Sequence, residues 1–223
     1  MFDELYNQRG KKIGEDEKGV NGKVRIVTDS KEVSRIEANT KNKAITQSNT
    51  ISSGISVSKA ALSESLNVLD RTIANGGLQE EVSIVMNSGA VIQGQTGPVP
   101  TITNNIQTAP STLPNLPTGA TIADVEATIH SHPIAVQQVG FMIYPQSANS
   151  PSSGSGSDQI TFRQFGTNII IGPLGTINPN SVTINANGSL NIPSRPNGAV
   201  IYDINSIPKV ELKRDAILRI INK

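Results

Sequence analysis

The sequence contains no cysteine and no tryptophan, only two histidines, and only 3% aromatic residues. Without cysteine the chain forms neither disulfides nor thiolate metal sites, and it cannot use a thiol as a nucleophile. Any bound metal ion must therefore be held by His, Asp or Glu side chains. The absence of cysteine also excludes the zinc deaminases, whose signature includes Pro-Cys-x-x-Cys.

Long apolar runs and a strong net charge are also absent. No run approaches the roughly 20 apolar residues that a membrane-spanning helix requires, and the first residues lack the apolar region of a secretory signal. The formal net charge of +1 argues against binding nucleic acid through its phosphates. We therefore expect no membrane and no nucleic-acid partner. The expected location is the cytoplasm, or outside it after export by a specialised effector-delivery system.

Hydrophobic patterning divides the chain into two parts. Residues 1–57 are polar and hold about half of the charged side chains, so they are predicted to form an N-terminal arm or linker with one strand, over 23–28. Residues 58–223 carry regular patterns and are predicted to form the functional domain, ending in a C-terminal helix. The middle of this domain is poor in charge, which makes each of its few acidic residues a candidate for chemistry.

Several elements of the domain are predicted from periodicity. A helix is expected over 58–75, with Ser58 as its N-cap and the glycines at 76–77 at its end. Loops are expected over 95–120 and 133–157. The other predicted elements are strands over 82–86, 90–94, 126–132, 159–162, 167–172 and 199–202, and a closing helix over 210–221. This order predicts an α+β or α/β/α domain with one mixed β-sheet flanked by helices.

The two histidines stand together in the run His130-Ser131-His132-Pro133. Residues i and i+2 of a strand project from the same face about 6.5–7 Å apart, so both imidazoles can bind one metal ion. Pro133 is expected to end the strand beside a loop that a substrate can reach. A third ligand must be a carboxylate, and Asp158 is the best candidate because it follows a Gly/Ser-rich turn.

Further groups are needed to use such a metal for hydrolysis. Glu80 or Glu81, at the start of a core strand, could serve as the general base. The Ser155 hydroxyl could donate a hydrogen bond to a developing oxyanion. Glu126 lies four residues before the first histidine on the same predicted strand, which makes it an outside candidate for ligand or supporting partner.

These residues together resemble the JAMM signature of the MPN/JAB metallopeptidases. The matching pieces are an upstream glutamate after a helix, the His-Ser-His-Pro run, and the turn Ser155-Gly156-Ser157-Asp158. The resemblance covers roughly residues 58–175 and implies a cytidine-deaminase-like α/β/α fold. The sequence departs from the family pattern in two places. The first is the interval between the second histidine and the serine, which is 22 residues long, 133–154. The second is the glutamate motif, Glu-x-x-Gly in the family: its small fourth residue is matched by Ser83 only if Glu80 is the glutamate.

The resemblance implies a zinc-dependent peptidase or isopeptidase. In that family the histidines and the aspartate hold Zn²⁺, the glutamate is the acid-base catalyst that acts with zinc-bound water, and the serine supports the oxyanion. The whole chain also resembles JAB-like toxin domains of Rhs-type polymorphic proteins of Bacteroidetes, which implies a peptide or protein substrate and a carrier or immunity protein as partner. The alternative is a non-catalytic binding or scaffold module of the same fold.

Overall fold

The computed structural model describes residues 3–17, 22–154 and 156–223. The helices and strands, in chain order, are β1 (Glu4–Asn7), β2 (Lys12–Glu15), β3 (Lys23–Val27), α1 (Ser30–Lys41), β4 (Ile55–Ser58), α2 (Lys59–Ala74), β5 (Val82–Met86), β6 (Val91–Gln93), β7 (Thr101–Thr103), β8 (Ile106–Thr108), β9 (Val125–Ser131), β10 (Gln137–Val139), β11 (Met142–Tyr144), α3 (Asp158–Phe162), β12 (Asn168–Pro173), β13 (Thr183–Ile184), β14 (Leu190–Asn191), β15 (Asn197–Tyr202), β16 (Pro208–Lys213) and α4 (Arg214–Ile221).

A six-stranded mixed sheet forms the centre of the molecule, in the order β16-β15-β12-β9-β5-β6. β9 and β12 run parallel, and the other neighbours are antiparallel. β9 is therefore an inner strand, held on both sides by hydrogen bonds. The structure confirms the mixed α and β composition expected from the sequence, with a mixed sheet and, among the described residues, four α-helices.

The two faces of this sheet are covered differently. On one face α2 and α4 pack on the sheet, and the core there includes Leu62, Ile129 and Ile217. On the other face a smaller core forms where Phe162 of α3 meets β12 and β15. Because side chains alternate along a strand, the odd-numbered residues of β9 enter the helix-covered core, which leaves Thr128 and His130 for the opposite face.

α2 forms as its sequence predicts. The Ser58 hydroxyl accepts a hydrogen bond from the Ala61 N–H and so caps the first turn. Leu66 and Leu69 are buried in the predicted apolar stripe, whereas Ile73 in the last turn is 48% exposed.

The described residues within 1–57 are folded, which corrects the prediction of an arm or linker. They form a second sheet, in the order β2-β1-β3-β4, with α1 packed on one face. On the other face Tyr6 and Ile26 join the core that α2 and the central sheet share. The short strands explain the error, because four residues such as Glu4–Asn7 are too few to show a clear alternation.

Two predictions in the second half were also wrong. Residues 159–162 form the helix α3 rather than a strand. The closing helix was predicted from 210, but Val210 and Leu212 lie in β16, which pairs with β15, and α4 begins only at Arg214. Both residues are buried at a spacing of two, which is the strand period that the helical interpretation overlooked.

The two long loops each contain a hairpin. β7 and β8 pair within 95–120, and β10 and β11 pair within 133–157. Gln107 of the first hairpin bonds to Gln137 of the second and accepts a hydrogen bond from Gln146. Hydrogen bonds therefore connect the two long loops to each other. No helix among the described residues is both long and apolar enough to cross a membrane.

Candidate metal centre

The His-x-His pair lies at the end of β9, where the strand leaves the sheet. His130 pairs with Val82 of β5 and with Ile170 of β12. The His132 N–H donates to the Ile171 carbonyl, which holds the residue against β12 beyond the end of β9. The centroids of the two imidazoles are 5.3 Å apart, and both residues are buried. A Cβ at Gly172 would meet the His132 carbonyl at 3.0 Å, so glycine there permits this close approach.

Hydrogen bonding sets the tautomer of His132. Its Nδ1 lies 2.7 Å from the Ser147 carbonyl oxygen, which can only accept, so Nδ1 carries the proton. In the neutral ring, Nε2 then carries no proton, and its lone pair faces Asp158. Such fixing of one ring nitrogen by a carbonyl is the usual way in which a metal-binding histidine is oriented.

Asp158 joins the histidines across a long interval of sequence. Its Oδ1 lies 3.2 Å from His130 Nε2, and its Oδ2 lies 3.3 Å from His132 Nε2. The carboxylate is held by Ser152, whose N–H donates to Oδ2 and whose hydroxyl accepts from the Asp158 N–H. Burial alone would raise the pKa of Asp158, but the two neighbouring imidazoles hold this pKa well below its usual range. Asp158 is therefore the anionic member of the cluster.

This arrangement of His130, His132 and Asp158 fits a metal ion. The three candidate ligand atoms lie within 4.8 Å of one another. Ligands of a tetrahedral ion with bonds of about 2.0–2.1 Å lie about 3.3–3.4 Å apart, close to the separations between the carboxylate oxygens and the imidazole nitrogens. The Nε2 of His132 and the carboxylate are both acceptors, and the buried Nε2 of His130 has no hydrogen-bond partner among the described residues. A shared cation satisfies all three groups.

Glu80 lies in the same cleft as the cluster. Its side chain is buried, and Oε2 accepts a hydrogen bond of 2.9 Å from the Ser111 hydroxyl. Burial raises the pKa of Glu80 to about 8, against the opposing effects of His132 and Ser111. A carboxyl with a raised pKa in a cleft can take up and release a proton near neutral pH.

Glu81 points away from the cluster, into the layer between β5 and α2. It accepts hydrogen bonds from Asn75 and from Thr96, and its Oε2 lies 3.5 Å from Arg71 Nε. Sequence reasoning left the choice between Glu80 and Glu81 open. Because side chains alternate at the start of β5, Glu80 enters the cleft and Glu81 lies on the opposite face of the sheet.

Of the other two candidates from the sequence, Ser155 lies outside the described residues, and Glu126 does not join the cluster. Glu126 accepts a hydrogen bond from the Ser58 N–H and lies 3.6 Å from Lys23 Nζ. It supports the start of α2 on the far face of the sheet, because the pairing register shifts near the beginning of β9.

Three polar groups that support the candidate site were not predicted from the sequence. The Ser147 carbonyl orients His132, Ser152 holds Asp158, and Ser111 contacts Glu80. All three lie in the two long loops, where serine is frequent and carries no local pattern. The only available signal was the position of Ser152 six residues before the predicted ligand, which is too weak to select it.

The cluster opens into a cleft of about 410 Å³. The walls come from residues 106–113 of the first long loop and from residues 146–153 and 156–158 in and next to the second. Apart from Glu80, His130, His132 and Asp158, the lining residues carry hydroxyl, amide or apolar groups, and the apolar ones include Ile106 and Leu113. A larger cavity of about 640 Å³ is lined by residues 93–98 and 110–115 and contains none of the candidate ligands.

Comparison with known proteins adds no relative to this description. No protein-family model, no curated protein sequence and no solved structure matches the chain significantly.

Proposed function

We propose that this chain is a zinc-dependent hydrolase that cleaves peptide or isopeptide bonds. The observation that carries the proposal is the convergence of His130, His132 and Asp158, with Glu80 buried in the same cleft. Two imidazoles and one carboxylate are a ligand set used by catalytic zinc, which keeps one position open. The specific JAB/MPN type of fold and the zinc identity are part of this proposal.

The roles of the residues follow from their chemistry. His130, His132 and Asp158 would hold the metal, which would supply Lewis acidity to polarise a carbonyl group and make water more acidic. Glu80 takes a proton from the attacking water at its carboxylate and returns it to the leaving nitrogen. Ser111 keeps the Glu80 carboxylate in the cleft through their hydrogen bond.

The cleft also indicates the kind of polypeptide that fits it. Among the described residues, its lining contains no lysine or arginine, and its acids are Glu80 and Asp158. A charged substrate side chain next to the scissile bond would lose water without gaining a partner, which costs free energy. We infer a preference for uncharged residues there. The effector context, the carrier and the immunity protein remain predictions from the sequence resemblance.

Metal analysis of protein made with excess zinc tests the first step. We expect about one zinc per chain in the wild type, and loss of that zinc in both His132→Ala and Asp158→Ala. Asp124→Asn is the matched control, because this exposed acid lies outside the cleft and its substitution leaves the zinc content unchanged. A folded wild type without zinc would overturn the proposal and favour the scaffold alternative.

Cleavage of a mixed peptide library, followed by mass spectrometry, tests the second step. Glu80→Gln is expected to retain zinc but to lose cleavage by about 10²–10⁴-fold, the usual contribution of a general base. Circular dichroism of each variant shows whether it is folded. Unchanged cleavage by a zinc-loaded Glu80→Gln variant would remove Glu80 from the mechanism.

A further inference from the structure

Ser157, the residue before Asp158, has an unusual hydroxyl. The residue is 7% exposed, and its Oγ is buried with no hydrogen-bond partner among the described residues. Buried hydroxyl groups nearly always have a partner, and those without one are often found where a ligand binds. Ser157 lines the same cleft as the metal cluster, where His130 Nε2 is also buried without a hydrogen-bond partner.

Another residue, Ser152, caps the start of α3 in place of the Ser157 hydroxyl. Ser157 is the N-cap of α3, a position where a serine hydroxyl normally accepts a backbone N–H, but here its side chain makes no such bond. The Ser152 hydroxyl accepts from the Asp158 N–H instead, and the Ser152 carbonyl accepts from the Gln159 N–H. The Ser157 hydroxyl therefore makes no hydrogen bond to the described residues of the protein.

We propose that the Ser157 hydroxyl donates a hydrogen bond to an anionic oxygen of the substrate, or of its carboxylate product, when this binds in the cleft beside Asp158. The inference rests on the proposed function, since a metal-bound anion is what the hydroxyl would contact. It assigns the contact to Ser157 rather than to Ser155, the residue that the sequence resemblance selects. Acetate, the simplest carboxylate product, is a suitable probe.

The first test measures acetate binding to protein loaded with Co²⁺, which takes the same ligands as zinc and reports ligand exchange by visible absorption. Ser157→Ala is expected to bind Co²⁺ fully but to bind acetate about tenfold more weakly, since one hydrogen bond to a charged oxygen is lost. Ser153→Ala is the matched control, because this serine lines the same cleft but is exposed, and we expect wild-type acetate affinity.

The second test needs neither metal nor acetate. A hydroxyl that serves only a ligand contributes nothing to folding, so metal-free Ser157→Ala should have a thermal midpoint equal to or above that of the wild type. A lower midpoint would show that the hydroxyl has a structural role and would overturn the inference. Wild-type acetate affinity in Co²⁺-loaded Ser157→Ala would overturn it as well, and leave the metal centre intact. Failure of the wild type to bind Co²⁺ would overturn both proposals.

Discussion

The raised pKa of Glu80 predicts how the stability of the metal-free protein depends on pH. Burial raises the pKa of this carboxyl to about 8, whereas its ordinary value is 4.5. Between these values the folded protein binds one proton more than the unfolded chain. The contribution of Glu80 to the free energy of unfolding therefore falls as the pH rises from about 4.5 to about 8, and is constant outside this window.

The size of the effect follows from the two pKa values. One pKa unit corresponds to about 1.4 kcal/mol, so the interval from 4.5 to pH 7 corresponds to about 3 kcal/mol of lost stability. Glu80→Gln keeps the shape of the side chain and an oxygen for the Ser111 hydroxyl, but it cannot become charged. Its stability relative to the wild type should therefore increase by about 3 kcal/mol between pH 4.5 and pH 7.

Urea denaturation in the presence of EDTA, followed by circular dichroism because the chain has no tryptophan, measures this difference. The matched control is Glu81→Gln at the next position. Glu81 is held by Arg71, Asn75 and Thr96, so this variant loses favourable contacts and should be less stable than the wild type at neutral pH. The reasoning would be refuted if the difference between Glu80→Gln and the wild type stayed constant from pH 4.5 to pH 7.

Other predictions concern the larger cavity, the N-terminal sheet and the metal. Gly97→Ala should cost about 1–3 kcal/mol in urea denaturation, because its Cβ would overlap the Pro110 carbonyl oxygen, whereas Gly166→Ala, with open space around it, should stay within about 0.5 kcal/mol of wild type. Glu32 accepts hydrogen bonds from two consecutive serines before β4, which lower its pKa to about 2 although desolvation acts to raise it. Glu32→Gln should therefore lose about 1 kcal/mol at pH 7, with the loss shrinking as the pH falls from 4.5 towards 2, and an equal loss at both ends would contradict this explanation. EDTA should lower the thermal midpoint of zinc-loaded wild type but leave that of Asp158→Ala unchanged, and equal shifts in both would show that the metal acts elsewhere.

Local patterns in the sequence were sufficient for several parts of the structure. The apolar stripe and the cap at Ser58 predict α2, and the run before Pro133 predicts a strand over 126–132, which the structure shows as β9 with His132 just beyond its end. These features depend on contacts between residues a few positions apart, which a sequence displays directly. The same applies to the ligand chemistry, because a chain without cysteine and with two histidines leaves few choices.

Other parts of the fold depend on partners that are distant in sequence. The strands of the N-terminal sheet are stabilised by α1 and by the shared core, so their own four or five residues carry little signal. The second half of the chain shows the same limit, since β16 exists because it pairs with β15. α3 forms where Ser152 binds the backbone at its start, and a window of five residues cannot reveal that.

The candidate site also has features that local sequence predicts and features that depend on contacts between distant residues. Sequence reasoning identifies which side chains are able to bind a metal and predicts that two of them share one strand face. The tertiary structure shows that Asp158 meets them, that Glu80 rather than Glu81 enters the cleft, and that the Ser157 hydroxyl has no hydrogen-bond partner among the described residues. The physical reason is that alternation along a strand is a local property, whereas the approach of a loop to a sheet depends on every contact that closes the loop.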